Sequence, residues 1–302
     1  MKTIDEAKER LQGFFNIAVT PFAQDGAIDF AVLAVNLERM MSLGVDGFLI
    51  GGTYGEFATM TGAERAELFR AVVRIVGDRV PIMLCSASAD PREAAELTRL
   101  AAELGCVPMM TPPFVSEVTD EQVVGFFAHV GGLSRTGVVI YNAPGVGATL
   151  SPEMIERLSE LAPVIGLKQG DLAPTAIDRI ANRLGGRLRL FCASDLAFLG
   201  PLLCGFHGVS STNSCALPEL IKAIFDALQR GDAAEARALH RNWFPVRETA
   251  RRFGQPQTVK ALMRLRGWNG GHVRAPLRDL SDAQIEVVAG ALREVPARWR
   301  HV

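Results

Sequence analysis

The residue in this sequence with the clearest chemical potential is Lys168, which ends the apolar run Val164–Lys168. Burying an ammonium group is costly unless its charge is paired or the amine loses its proton. Desolvation lowers the pKa of a lysine, and a neutral amine can attack a ketone to form a Schiff base. The alternative is a structural lysine that extends to solvent or pairs with a carboxylate such as Asp171 or Glu56.

Lysine is also rare in this chain, so a lysine inside an apolar segment is less likely to have arisen there by random substitution. Arginine supplies 27 of the 32 basic residues. The five lysines are Lys2, Lys8, Lys168, Lys222 and Lys260.

A candidate proton donor, Tyr141, ends the apolar run that precedes the one ending in Lys168. Adjacent strands lie about 4.8 Å apart, so a phenol at one strand end can reach an amine at the next. Formation of a Schiff base needs a group that moves protons while the carbinolamine collapses, and tyrosine is suited to this role. The alternative is a core aromatic residue with a satisfied hydroxyl group.

A third candidate is the turn Gly51–Glu56, which contains three glycines and a threonine. Glycines allow backbone N–H groups to approach a ligand closely, and a run of such donors can bind a carboxylate. Two glycines after a strand are more often only a tight turn. Glu56 has the alternative role of capping the segment that follows.

The segments that must position these residues predict a (β/α)8 barrel, an α/β fold. Eight short apolar runs alternate with amphipathic helices, as strands buried on both faces of a parallel sheet do. A doubly wound nucleotide-binding sheet is the rival, but no G-x-G-x-x-G follows the first run. The predicted strands are Phe14–Thr20, Val45–Ile50, Val80–Cys85, Cys106–Met110, Val138–Tyr141, Val164–Lys168, Leu188–Cys192 and His207–Ser211.

After residue 215 the pattern predicts only helices. We therefore expect a barrel over residues 1–215 and a C-terminal helical extension over residues 216–302. The predicted helices of the extension are Pro218–Arg230, Asp232–Arg252, Pro256–Arg266 and Ser281–Arg293.

Composition excludes several other classes of protein. The formal net charge of −1 argues against a nucleic-acid carrier or a polybasic membrane binder. No apolar stretch is long enough for a membrane span, and the N-terminus lacks the apolar core of a signal peptide. The five cysteines form no C-x-x-C pair and the five histidines no metal-ligand spacing, so we expect a cytoplasmic protein without a metal site.

The ordered motifs resemble those of the dihydrodipicolinate synthase / N-acetylneuraminate lyase family of class I aldolases. This resemblance implies the barrel with its helical extension, a homo-oligomer that is a tetramer or a dimer, and no cofactor. It implies pyruvate, or a 2-oxo acid that yields pyruvate, as the substrate. The motifs are Ala18–Phe22, Gly52–Glu56, Tyr141–Pro144, Gly166–Lys168, Gly208–Ser211 and Val273–Leu277.

The resemblance also assigns roles to individual residues. Lys168 matches the Schiff-base lysine, Tyr141 the proton-shuttling tyrosine, and Thr53 completes the implied catalytic set. Thr53 and Tyr54, next to Gly52, match the pair that holds the 2-oxo acid carboxylate. The remaining implied pocket residues are Gly170, Ala193, Asp195, Ser210 and Ser211.

Three departures separate this chain from dihydrodipicolinate synthases. Val146 stands where an arginine binds the carboxylate of the second substrate, and Phe114 lacks the hydroxyl group of the usual tyrosine. Tyr54 replaces the usual threonine. Losing the arginine removes a charge-assisted contact worth about 1.5–3 kcal/mol, so we expect inefficient synthesis of dihydrodipicolinate.

Three functions are consistent with the sequence. The first is pyruvate-dependent aldol cleavage or condensation through an iminium on Lys168. The second is a dehydratase or deaminase that acts on a 2-keto-3-deoxy sugar acid, or a related 2-oxo acid, through the same iminium. The third is a non-catalytic sensor of 2-oxo acids.

Overall fold

The eight predicted strands form a closed parallel barrel in the order β1 to β8. The computed structural model describes residues 1, 3–115 and 117–300. The predicted barrel is therefore confirmed. Its strands are β1 (Gly13–Ile17), β2 (Gly47–Ile50), β3 (Ile82–Cys85), β4 (Val107–Met110), β5 (Val138–Asn142), β6 (Val164–Gln169), β7 (Arg189–Cys192) and β8 (Gly208–Ser211).

Aromatic rings that face glycines fill part of the barrel interior. Phe15 and Phe191 meet edge to face, with ring centres 4.8 Å apart. A Cβ atom at Gly47 would lie 2.4 Å from the Phe15 ring, and one at Gly208 would lie 2.6 Å from the Phe191 ring. Both positions therefore require glycine, because any side chain there would displace a core ring.

Local capping interactions begin several of the helices. Capping boxes form at Thr61, Thr119 and Ser281. The helices are α1 (Ile4–Arg10), α2 (Phe30–Ser42), α3 (Gly62–Val76), α4 (Pro91–Glu103), α5 (Asp120–Gly131), α6 (Pro152–Leu158), α7 (Pro174–Leu184), α8 (Leu199–Leu203), α9 (Pro218–Gln229), α10 (Ala233–Asn242), α11 (Phe244–Phe253), α12 (Gln255–Leu265), α13 (Asp282–Glu294) and α14 (Ala297–Arg300).

The single helix predicted over Asp232–Arg252 was wrong, because two helices occupy that stretch. Helix α10 ends at Asn242 and α11 begins at Phe244, with Trp243 between them at φ −113° and ψ 17°. Pro245 explains the break, since it has no N–H group for the helix ladder and suits only the first turn of a helix.

The chain divides into two compact units, each assembled from separate segments. The predicted boundary at residue 215 stays a prediction. The first unit contains Met1–Phe15, Asp46–Ile50 and Thr61–Ser210, and the second contains Asn16–Val45, Gly51–Met60 and Ser211–Val302.

No helix within the described part of the chain has the length and apolar character needed to cross a membrane.

Candidate active site

Lys168 lies in the first unit, near the end of β6, where it is almost completely buried. Only 2% of the residue is exposed. In the strand register it lies opposite Tyr141 on β5 and Phe191 on β7. Its Nζ atom is 3.9 Å from the centre of the Tyr141 ring. The adjacency of the amine and the phenol that strand order predicts is therefore present.

Burial of Lys168 favours its neutral amine. Desolvation by burial lowers the pKa of Lys168 to about 7, while the Asp195 carboxylate opposes this shift. Among the residues that the structure describes, no carboxylate forms an ion pair with Nζ, and no acceptor takes a hydrogen bond from it. Burial thus brings the pKa of this amine close to neutral pH.

The carboxylates considered as alternative partners are engaged elsewhere. A side-chain oxygen of Asp171 accepts a hydrogen bond from the backbone N–H of Ala173. Glu56 pairs with Lys260 at 2.6 Å. The structural interpretation of Lys168 as a member of an ion pair is therefore not supported.

Two buried thiols flank the amine without supplying negative charge at neutral pH. Burial raises the pKa of Cys192 to about 12 and also raises the pKa of Cys85. Both thiols therefore keep their protons, and neither provides a thiolate beside Lys168.

Of the other first-unit pocket candidates, Gly170 follows β6, Ala193 and Asp195 follow β7, and Ser210 lies within β8. The backbone N–H of Gly170 donates to the carbonyl oxygen of Asn142 at 2.7 Å, and a Cβ atom at Gly170 would lie 2.7 Å from that oxygen. The Ser210 hydroxyl group donates to the carbonyl oxygen of Cys192 at 3.2 Å. Asp195 is 1% exposed, whereas Ala193 is half-buried.

The turn after β2 belongs to the second unit and forms a tight 3₁₀ segment over Thr53–Gly55. Thr53 and Tyr54 are half-buried there, and Gly52 precedes them. Glu56 follows at φ 61°, a left-handed conformation that costs a non-glycine residue about 1–2 kcal/mol. Local contacts must therefore hold this turn in place.

Three contacts fix the turn, and all of them lie within the second unit. The Thr20 hydroxyl group donates to the Gly55 carbonyl oxygen at 2.7 Å. Lys260 donates to one oxygen of the Glu56 carboxylate at 2.6 Å, and the Arg274 backbone N–H donates to the other at 2.9 Å. The carboxylate of Glu56 is thus a structural anchor of the turn.

Sequence reasoning did not identify Lys260 as a functional support, although a signal was present. Lys260 lies within the apolar stretch Val259–Met263, as unusual a place for a lysine as that of Lys168. Arg274 lies within the C-terminal family motif, but nothing in its local pattern indicates a contact with the turn.

The remaining pocket candidate, Ser211, belongs to the second unit. Its hydroxyl oxygen accepts a hydrogen bond from the backbone N–H of Ser214 at 3.0 Å.

Phe114 and Val115 lie on the segment after β4, and Val146 lies on the segment after β5. The Phe114 side chain lies close to Gly147, where a Cβ atom would be 3.0 Å from it. Val115 is 61% exposed. The side chains at these three positions are apolar.

Across the described residues, no group of three or more His, Cys, Asp or Glu side chains is arranged to hold a metal ion.

Comparisons with known proteins agree with this architecture. The model of the Dihydrodipicolinate synthetase family matches residues 10–295. A 4-hydroxy-tetrahydrodipicolinate synthase from Thermosynechococcus vestitus is 30% identical over 283 residues, covering 92% of this chain and 95% of the relative. 4-hydroxy-tetrahydrodipicolinate synthase 1 from Streptomyces coelicolor is 32% identical over 278 residues, covering 91% and 90%.

Two solved structures of dihydrodipicolinate synthases share the fold of this chain. Dihydrodipicolinate synthase DapA-2 from Bacillus anthracis matches with a TM-score of 0.88 and 26% identity, covering 94% of this chain and 98% of that one. A chloride-inhibited dihydrodipicolinate synthase from Acinetobacter baumannii, complexed with pyruvate, shares the fold with a TM-score of 0.89 at 24% identity, covering 94% and 99%. The chain therefore belongs to the dihydrodipicolinate synthetase family, whose members are lyases of the class I aldolase type.

Proposed function

We propose that this lyase binds pyruvate, or a 2-oxo acid that yields pyruvate, as a Schiff base on Lys168. The observation that carries the proposal is a buried amine without a carboxylate partner, with its pKa lowered to about 7 by desolvation. The neutral Nζ attacks the ketone carbon, and the resulting carbinolamine loses water to give the iminium. The iminium withdraws electrons from the adjacent carbon, where a carbon–carbon bond then forms or breaks.

Tyr141 is the proposed acid and base for these steps. Its ring lies 3.9 Å from Nζ, and the residue is 4% exposed. A phenol can protonate the hydroxyl group that leaves as water and recover the proton later. Because β5 and β6 pair directly at these two residues, the strand register itself holds the phenol beside the amine.

Thr53 and Tyr54 are proposed to hold the substrate carboxylate, with Thr53 also serving the catalytic set. Support comes from the family match, which covers both residues. The anchored turn supports the proposal further, because a ligand-binding turn gains affinity when its conformation is fixed beforehand. Gly52, Gly170, Ala193, Asp195, Ser210 and Ser211 remain the proposed pocket residues.

We propose that the second substrate, or the leaving fragment, is uncharged and apolar in the part that lies near the Schiff base. Val146, Phe114 and Val115 supply no charge, so a carboxylate on that fragment would find no cationic partner among them. We therefore propose that this chain synthesises dihydrodipicolinate inefficiently. We also expect a cytoplasmic homo-oligomer that needs no cofactor.

The deciding experiment is borohydride trapping with pyruvate, read by mass spectrometry. The wild type should gain one reduced pyruvate adduct on Lys168, and Lys168→Met should gain none. The matched control is Lys222→Met, because Lys222 is a partly exposed lysine paired with Asp226 at 2.8 Å. Absence of an adduct on Lys168 in the wild type would refute the proposal.

Product analysis with a panel of aldehydes and sugar acids then separates the reaction types. Release of pyruvate, or its consumption with an aldehyde, supports aldol chemistry. A dehydratase or deaminase would keep the carbon skeleton intact, and a sensor would form the adduct without turnover. Neutral aldehydes should react faster than aldehydes that carry a carboxylate, and the reverse preference would contradict the proposed apolar pocket.

A further inference from the structure

We propose that Asn142 and Gln169 are a pair of positioning residues that fixes segment 143–150, which follows β5, and thereby sets the affinity for the second substrate or leaving fragment. This inference rests on the proposed function, in which Val146 of that segment lies beside this fragment. It assigns a role to two buried amides that take no part in the Schiff-base chemistry. All the residues concerned belong to the first unit.

The Asn142 side chain closes the segment by binding both backbone groups of its last residue. Its Oδ1 atom accepts a hydrogen bond from the Leu150 backbone N–H at 2.9 Å, and its Nδ2 atom donates to the Leu150 carbonyl oxygen at 3.1 Å. Asn142 is completely buried, so water competes little for these bonds. One side chain therefore joins the two ends of the segment, which reduces the number of conformations open to it.

Gln169 ties the closed segment to the end of β6. Its Oε1 atom accepts a hydrogen bond from Nδ2 of Asn142 at 3.0 Å, and its Nε2 atom donates to the Asp171 carbonyl oxygen at 2.8 Å. The side chain of Gln169 is buried as well. The backbone N–H of Gly170 donates to the carbonyl oxygen of Asn142 at 2.7 Å. The segments that follow β5 and β6 are therefore held to each other through Asn142.

The orientation of both amides is set by backbone groups whose roles cannot be exchanged. A backbone N–H only donates a hydrogen bond, and a backbone carbonyl oxygen only accepts one. A flip of the Asn142 amide would place its NH₂ group against the Leu150 N–H and its oxygen against the Leu150 carbonyl oxygen. A flip of the Gln169 amide would place its oxygen against the Asp171 carbonyl oxygen. The pair therefore has one favourable arrangement of hydrogen bonds.

The two amides lie one residue beyond the proposed catalytic pair on the same two strands. In the register of β5 and β6, Tyr141 lies opposite Lys168. The next residues, Asn142 and Gln169, lie opposite each other. Successive side chains of a strand point to opposite faces of the sheet, so the amides and the catalytic side chains lie on different faces. Asn142 and Gln169 are therefore placed to hold the segment and not to touch the imine.

The segment that the two amides hold carries Val146 in a turn. The backbone N–H of Val146 donates to the Ala143 carbonyl oxygen at 2.9 Å, and Gly147 lies close to Phe114. When only a fraction of a protein has the conformation that binds a ligand, the apparent affinity falls by that fraction. Fixing the segment in one conformation should therefore strengthen binding of the fragment beside Val146.

The test uses pyruvate with propanal, an uncharged apolar aldehyde, and compares the KM for propanal with the trapping of pyruvate by borohydride. Gln169→Met should raise the KM for propanal by about fivefold, the scale of one hydrogen bond, and Asn142→Leu should raise it further. Half-saturation and the maximal rate of trapping should both stay within about twofold, because the paired strands still hold Tyr141 beside Lys168. In the Asn142→Leu background, Gln169→Met should add less than it does alone. Gln169→Met keeps both Asn142–Leu150 bonds, so it decides the question if Asn142→Leu does not fold.

The matched control is Thr136→Val, which removes a buried hydrogen bond just before β5. The Thr136 hydroxyl group donates to the Cys106 carbonyl oxygen at 2.7 Å. This variant should lower the melting temperature but leave the KM for propanal unchanged.

Three results would overturn the inference. They are an unchanged KM for propanal in Gln169→Met, an equal rise of this KM in Thr136→Val, and a loss of pyruvate trapping as large as the rise in KM. Two results in the wild type would instead refute the proposed function itself. Absence of trapping would refute the Schiff base, and trapping without consumption of pyruvate in the presence of propanal would refute the uncharged, apolar second substrate.

Discussion

Two lysines are buried among the residues that the structure describes, one in each compact unit, and they show what separates a reactive amine from a structural one. Lys168 on β6 and Lys260 on α12 are 2% and 0% exposed. Each lies near an aromatic ring, Tyr141 at 3.9 Å and Phe22 at 5.0 Å. Burial lowers the pKa of both amines. Burial and an aromatic neighbour are therefore not the features that distinguish them.

The difference lies in the hydrogen-bond acceptors. Lys260 uses its three protons on the carbonyl oxygens of Thr20 and His272 and on the carboxylate of Glu56, at 2.6–2.7 Å. Glu56 raises the pKa of Lys260 against the effect of burial. Lys168 has no such set of acceptors within the described residues. An amine with three acceptors stays protonated and holds structure, whereas one without them can lose its proton and act as a nucleophile.

The largest expected effect concerns the ring beside Lys168. Tyr141→Phe keeps the aromatic face near Nζ but removes the hydroxyl group, so turnover should fall by about 10²- to 10⁴-fold. Pyruvate should still bind and be trapped, though more slowly. The check is steady-state turnover on the substrate found in the panel, with trapping measured in parallel. An unchanged turnover rate would show that another group moves the proton.

A smaller but clear effect is expected at the structural lysine. Lys260→Met leaves the Glu56 carboxylate buried without its cation, which should lower the free energy of unfolding by about 3–5 kcal/mol. Lys168→Met removes an unpaired buried amine, so its free energy of unfolding should stay the same or rise. Urea unfolding of both variants measures the contrast, and similar losses in the two would refute it.

The double variant Glu56→Gln with Lys260→Met tests whether the unpaired carboxylate causes the loss of stability. Removing both charges should recover part of the stability lost in Lys260→Met alone. If the double variant is no more stable than the single one, the unpaired carboxylate is not the source of the loss.

The smallest expected effect is on the pH dependence of imine formation. Because the neutral form of Lys168 is the nucleophile, the rate at fixed pyruvate should rise with pH and level off above about pH 7, following the pKa of about 7. Below that pH the rate should fall about tenfold per pH unit. Stopped-flow measurement of imine formation checks this, and a rate that keeps rising to pH 10 would indicate an ordinary lysine pKa.

Much of the barrel was predictable from local patterns. Each of the eight apolar runs became a strand, and the capping boxes at Thr61, Thr119 and Ser281 began helices, because these signals depend on residues close in sequence. The break at Trp243 was missed although Pro245 provided a local signal for it.

The candidate site was predictable only in part. Lys168 and Tyr141 could be placed side by side because consecutive strands of a barrel are neighbours. The contacts of Lys260 with Glu56 and of Gln255 with Tyr54 span 204 and 201 residues. No local pattern reports pairs so distant along the chain.

The sequence by itself determined the barrel, the family and the position of a lysine at a strand end, since hydrophobic periodicity and short motifs encode these. Only the tertiary structure decided which buried lysine keeps its proton. That outcome depends on which acceptors distant segments bring within about 3 Å of the amine, and on how fully those segments exclude water.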